Sequence, residues 1–283
     1  MVSAFTDRAN GFPSELAGTD PQWIFSLQCN QPAFRAPHAA NSDIGVKEGP
    51  GYSGQRVSVQ WRRAKKWDET MIHRLENWKL KGKGKQPSGP GSSLASTAKV
   101  RPFLRDVFDK LAIQTFLDVP CGDMTWMPHV NLTGVDYMGG DISSSLVADN
   151  LASFAADPRF ANKFAVFDIT CMIPPKVDMI HTRDVFIHLD SDHSLKALQN
   201  FEKSGSKYIA IPHWPSSRGG SNVFHPNGSA YENYHTFNLH LPPFCLPAPL
   251  YSVQNGGGAT GVVGVWKLPA LGHGSRPECR NQG

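Results

Sequence analysis

From residue 100 onward the apolar positions fall into two alternating rhythms. Val100, Leu104, Val107, Phe108 and Leu111 recur at three- and four-residue spacing, the period of one helix face, and Ser96 or Thr97 stands where a helix cap is expected. Short apolar runs follow at 115–119, within 134–141, and at 164–168, 177–181 and 208–212. Each is too brief for a helix and is bounded by turn formers, which predicts buried strands. A helical pattern over 194–201 separates the last two. Two further strands are expected between 251 and 268, joined at Gly256-Gly257-Gly258. This alternation predicts an α/β fold with a parallel sheet. Upstream, Val59, Trp61, Trp67, Met71, Leu75 and Trp78 predict a helical stripe over 57–80, and the basic, glycine-broken run 79–85 reads as a solvated loop. Residues 1–56 keep no period and read as an irregular N-terminal extension. The expected domain spans 57–271, with a flexible tail over 272–283. No internal repeat is visible.

Composition narrows the picture. The chain has 283 residues, 40% hydrophobic and 18% charged, which suits a globular domain. A formal net charge of +4 is too mild to argue for nucleic acid, which needs a concentrated basic face. No apolar run reaches the length of a membrane span. The first 30 residues lack the basic-then-apolar pattern of a secretory leader. Cys29, Cys121, Cys171, Cys245 and Cys279 are odd in number, widely spaced and without a CxxC pair. That pattern predicts neither a disulfide framework nor a zinc knuckle, and favours a reducing compartment, the cytoplasm. His213, His225, His235 and His240 show no compact ligand spacing, so no metal is expected.

Candidate chemistry gathers at strand ends. Phe116-Leu117-Asp118-Val119 runs into the turn Pro120-Cys121-Gly122-Asp123. Ligands of open α/β sheets bind outside the carboxyl ends of strands, where the strand order reverses. A second strand-end carboxylate, Asp141, follows 23 residues later, and Asp168 is a third. A carboxylate in the second position suits a ribose diol, because it accepts two hydrogen bonds. Three acids at three strand ends suit a ligand rich in donors.

This set resembles the class I S-adenosylmethionine-dependent methyltransferases. Leu117-Asp118-Val119-Pro120-Cys121-Gly122 looks like their first motif, Tyr137-Met138-Gly139-Gly140-Asp141-Ile142-Ser143 like the second, and Asp168-Ile169-Thr170 like the third. The segment 178–189, ending in His188-Leu189, resembles the one that follows. A narrower likeness, to a mainly microbial subgroup, is carried by Ser88-Gly89-Pro90-Gly91-Ser92-Ser93, Arg101, Pro120-Cys121-Gly122-Asp123, Trp126-Met127, Arg183-Asp184 and Asn238-Leu239 with Pro242-Pro243-Phe244. The resemblance covers roughly 85–270. It departs at Pro120 and Met124, where glycines are usual, and at His235, where the subgroup has an arginine.

The resemblance implies a Rossmann-like fold: a central, mostly parallel, seven-stranded sheet flanked by helices. It implies S-adenosylmethionine as cofactor, S-adenosylhomocysteine as product and a small-molecule acceptor. Asp118 would hold the cofactor's amino group, and Gly122 would let the backbone approach. Asp141 would take the ribose and Asp168 the adenine amine. Ser92 and Arg101 would take the carboxylate. Pro120, Asp123, Ile142 and Ile169 belong to the same cofactor-binding turns. Arg183, Asp184 and His188 would face the methyl group and the acceptor, Arg183 touching the cofactor as well, with Trp126 as an aromatic wall. A non-catalytic cofactor-binding partner or scaffold is the alternative. A nucleotide-dependent oxidoreductase would need a GxGxxG after the first strand, which 118–124 does not supply.

Overall fold

The computed structural model describes residues 88–189, 191–215, 236–256, 261–274 and 279. The expected extension over 1–56, the helical stripe over 57–80, the basic run 79–85, His225 and His235 lie outside the described residues.

A turn over 88–99 leads into α1 (Val100–Leu111), whose buried stripe is Val100, Leu104, Val107 and Phe108. Neither expected cap acts at the helix start. Lys99 occupies the cap position without a side-chain bond, while Ser93 organises the turn, its Oγ accepting from Ser96 N at 3.1 Å. Thr97 instead donates through Oγ1 to Ser93 O at 2.9 Å. The helix stops at Ala112, which takes a left-handed conformation.

The strands are β1 (Thr115–Asp118), β2 (Asp136–Asp141), β3 (Phe164–Val166), β4 (Met179–His181), β5 (Tyr208–His213), β6 (Tyr251–Gln254) and β7 (Val262–Lys267). Helix α2 (Ser144–Ser153) joins β2 to β3, and α3 (Ser191–Lys203) joins β4 to β5. Ser143 caps α2, its Oγ accepting from Leu146 N. Between β1 and β2 the described chain forms only a short 3-10 turn, Met127–His129.

All seven strands form one sheet in the order β3-β2-β1-β4-β5-β7-β6. Neighbours among β1 to β5 pair in parallel, and β7 runs antiparallel to both β5 and β6. This is the Rossmann-like arrangement of class I methyltransferases. Chain order reverses about β1, so the crevice of such a sheet opens beyond the carboxyl ends of β1 and β4.

Both faces of the sheet are covered, which is why its strands read as nearly continuous apolar runs. One face packs Phe116, Tyr137, Met179 and Ala210 against α1 and the 124–132 segment. The other packs Leu117, Met138, Ile180, Ile209 and Ile211 against α3, Phe186 and the 237–246 segment. Successive side chains on a strand point to opposite faces, and that alternation carries polar residues to the ends of both cores.

The cysteines depart from the expectation. Cys245 and Cys279 form a disulfide, with Cα atoms 5.6 Å apart. Cys171 is also disulfide-bonded, whereas Cys121 is a buried thiol. The chain after β7 returns to the 241–246 turn, where Gly272 N donates to Phe244 O at 3.1 Å and Gly274 N to Cys245 O at 2.5 Å. The tail expected to be flexible is therefore tied at Cys279. Because disulfides persist in oxidising surroundings, the argument from unpaired cysteines to a cytoplasmic location no longer holds. Among the described residues, no helix is long and apolar enough to cross a membrane.

Candidate functional site

Three separate segments meet at the carboxyl ends of β1, β2 and β4. The 120–123 turn follows β1 and is tied to β2 by Cys121 N donating to Gly140 O at 2.8 Å. Gly122 sits at a φ of 58°, a left-handed conformation that favours glycine. Its N–H donates to Asp141 Oδ2 at 3.0 Å, while Ser143 N donates to Asp141 Oδ1 at 2.9 Å. Asn150 on α2 closes the turn from behind, donating to Gly122 O at 2.8 Å. Asp141 thus fastens the end of β2 to the turn after β1. It is only 3% exposed, and burial pushes its carboxyl up to about 6, against the pull of the two N–H groups. Ile142, beside it, is exposed.

The 88–93 segment lies over this turn. Ser88 N donates to Asp123 Oδ2 at 3.1 Å, and Asp123 N donates back to Ser88 Oγ at 2.8 Å. Ser92 Oγ donates to Ser88 O at 3.4 Å. The same segment reaches the end of β4, where Arg183 donates through Nη1 to Gly91 O at 3.0 Å and through Nε to Asn255 Oδ1 at 3.1 Å. Arg183 Nη1 also pairs with Asp184 Oδ2 at 2.8 Å. A Cβ on Gly91 would lie 2.5 Å from Asp184 Oδ2, so a side chain there would displace the Asp184 carboxylate. Arg101 braces the segment from α1, donating through Nη2 to Leu94 O at 3.0 Å, while its buried Nε has no partner.

Asp118, at the end of β1, is engaged by neighbouring side chains. Its Cα partners across the sheet are Gly139 on β2 and His181 on β4. The carboxylate is 2% exposed, with Oδ1 2.7 Å from His181 Nδ1 and Oδ2 accepting from Tyr137 OH at 3.3 Å. The other ring nitrogen of His181, Nε2, is buried without a partner. Burial, then the Asp118 charge, raises the Tyr137 hydroxyl well above its ordinary range. Trp126 packs edge-on to His181 at 5.6 Å and lies 5.8 Å from the Arg183 guanidinium carbon. The ring expected to line the site therefore faces a cation of the protein itself.

The structure brings Ser92, Arg101, Pro120, Gly122, Asp123, Trp126, Asp141, Arg183 and Asp184 into this one neighbourhood. Asp168 lies one strand further out, its Oδ1 accepting from Thr170 N at 2.8 Å and Thr170 Oγ1 at 2.7 Å, and Ile169 after it is buried. His188 is half-buried in the 3-10 turn Phe186–His188. Single-residue reading missed His181, Tyr137, Asn150, Asn255 and the bracing role of Ser88. Only the first two carried a signal, as polar residues on otherwise apolar strands.

Elsewhere, His213 and His240 place their rings 4.9 Å apart. Burial, assisted by His240, lowers His213 to about 3. Among the described residues, no group of three His, Cys, Asp or Glu is placed to hold a metal ion.

No protein-family model and no curated protein sequence matches the chain. Solved structures resemble it in fold. Magnesium protoporphyrin IX methyltransferase from Synechocystis, with S-adenosylmethionine bound, aligns at 11% identity and a TM-score of 0.44, over 78% of this chain and 99% of that one. The methyltransferase domain of a bacterial Hen1 protein aligns at 12% identity and a TM-score of 0.45, over 62% of this chain and 100% of that one. TehB from Haemophilus influenzae aligns at 17% identity and a TM-score of 0.41, over 59% and 61%. At these identities the likeness concerns the fold alone.

Proposed function

We propose that the chain is an S-adenosylmethionine-dependent methyltransferase acting on a small-molecule acceptor. The observation that carries this reading is the hydrogen-bonded convergence of 88–93, 120–123, 141–143 and 183–184 at the switch point of a seven-stranded sheet.

The residues fit that cofactor. The unpartnered Arg101 Nε beside the 92–94 backbone suits a carboxylate. Asp141 retains lone pairs for a ribose hydroxyl, and exposed Ile142 offers apolar surface to a purine. Asp168 serves the base from the edge. Asp118 acts through Tyr137 and His181, holding the floor of the site rather than touching the ligand. Arg183 and Asp184 hold the wall between cofactor and acceptor.

When bound, the cofactor supplies a methyl group on a sulfonium sulfur, which departs as a neutral thioether. The protein's work is then alignment of the acceptor and exclusion of water. The test is transfer of labelled methyl from S-adenosylmethionine into a small-molecule extract, run beside protein and RNA fractions. Label in the small-molecule fraction, lost in Arg183→Gln, supports the reading. Label confined to protein or RNA overturns the acceptor class.

A further inference from the structure

The turn that leads into β2 carries chemistry that the methyl-transfer site does not use. Asn131-Leu132-Thr133 is an Asn-x-Ser/Thr triplet whose middle residue is not proline, the acceptor signal for N-linked glycosylation. Such a triplet arises by chance in many chains, so the fold decides whether it can serve. Leu132 is buried in the core beneath α1, only 6% exposed, whereas Asn131 and Thr133 on either side of it are both exposed. The backbone is held in that arrangement. Thr133 N donates to Asn131 Oδ1 at 3.1 Å, and Arg105 on α1 donates through Nη1 to Asn131 O at 3.2 Å and to Thr133 O at 2.9 Å. The apolar side chain of the triplet thus fixes the turn to the core, and the two that the modification requires stand in solvent.

The place of this turn in the fold suits a bulky attachment. It precedes β2, so it lies at the amino ends of the parallel strands, at the opposite end of the sheet from the crevice beyond their carboxyl ends. A large polar group on Asn131 displaces no core residue and leaves the crevice open.

The cysteines supply an independent observation about the compartment. N-linked glycans are added in a secretory lumen, which is oxidising, and disulfides persist there while they are rare in the cytosol. Among the described residues, Cys245 and Cys279 are paired with each other and Cys171 is disulfide-bonded as well. The remaining described cysteine, Cys121, is a thiol withdrawn from solvent. The second triplet, Asn227-Gly228-Ser229, lies outside the described residues.

We propose that the chain matures in an oxidising secretory compartment and carries an N-linked oligosaccharide on Asn131. The donor is a lipid-pyrophosphate-linked oligosaccharide, and a transferase of the cell makes the bond. Asn131 Nδ2 bonds to the anomeric carbon of the first sugar as the bond from that carbon to the lipid pyrophosphate breaks. The pyrophosphate leaves with the electron pair, and the amide gives up one N–H proton. Nothing is oxidised or reduced, and the methyl-transfer site takes no part, so the proposal stands apart from that reading.

The test uses the full chain isolated from the cells that produce it. A peptide-N-glycosidase acting in heavy-oxygen water turns a glycosylated asparagine into an aspartate carrying one heavy oxygen, and mass spectrometry of the digest locates it. The label is expected at Asn131, and the same treatment should raise the electrophoretic mobility of the intact protein. Asn131→Gln and Thr133→Ala, expressed in those cells, should each lose one step of that shift, and Thr133→Ser should keep it. These substitutions fall on exposed positions, so the fold is retained. Alkylation of the native protein should leave Cys245 and Cys279 unlabelled until a reductant is added. Asn131 recovered only as the unmodified amide, label at Asn227 alone, label persisting at Asn131 in Thr133→Ala, or alkylation of Cys245 and Cys279 without reductant would overturn the proposal.

Discussion

Burial displaces the acid–base behaviour of both Asp141 and His213, and the two act on stability in opposite directions. Asp141 titrates near 6 in the fold, above an ordinary carboxylate, so the folded state holds an extra proton between about pH 4 and 6. Its contribution is fullest at low pH and is lost as pH rises through 6. His213 titrates near 3, below an ordinary imidazole, so its contribution is full above about 6.5 and is lost as pH falls towards 3. Each group alone gives a slope of about 1.4 kcal/mol per pH unit, and between pH 4 and 6 the two cancel. Chemical denaturation across that window checks this. Relative to wild type, Asp141→Asn should gain a positive slope of stability with pH, and His213→Gln a negative one. Asp141 was legible as a candidate site residue because an acid at a strand end is a local signal. The Asp118–His181 pair was not, because their meeting depends on the β1–β4 register across 63 positions of sequence.

The elements themselves were nearly all readable, since each depends on local periodicity. Helix α3 was expected over 194–201 and runs Ser191–Lys203, and β4 was expected over 177–181 and forms only at Met179–His181. The start of α1 was misread, because Thr97 bonds backward to Ser93 O instead of forward into the helix. What periodicity cannot give is how the 88–93 turn is used. It carries no apolar rhythm, yet it is the strap joining the ends of β1 and β4. Gly91→Ala tests the strap. The added Cβ would collide with Asp184 Oδ2 and press it off Arg183. Cofactor affinity should fall about tenfold, about 1.4 kcal/mol, with little change in melting temperature. Unchanged affinity would remove the strap from the site.

At the scale of the molecule, the fold class followed from alternation, and the mostly parallel seven-stranded sheet observed is the one the motif resemblance implied. The disulfide did not follow, because Cys245 and Cys279 are 34 positions apart and nothing local announces their meeting. A closed loop of that length is worth about 3–4 kcal/mol in the chain-entropy view. Cys279→Ser should lower stability to denaturant by about that amount, and reductant should do the same to the wild type. A variant as stable as wild type would show that the return of the tail to the 241–246 turn is held by packing alone.

The central claim is that the crevice beyond β1, β2 and β4 takes S-adenosylmethionine. Calorimetric titration of the folded protein with S-adenosylmethionine and S-adenosylhomocysteine, with NAD and NADP beside them, tests it directly. Micromolar binding of the methionine-derived pair, no binding of the dinucleotides, and loss of binding in Asp141→Ala is the result predicted. A folded protein that binds neither S-adenosyl compound contradicts the account.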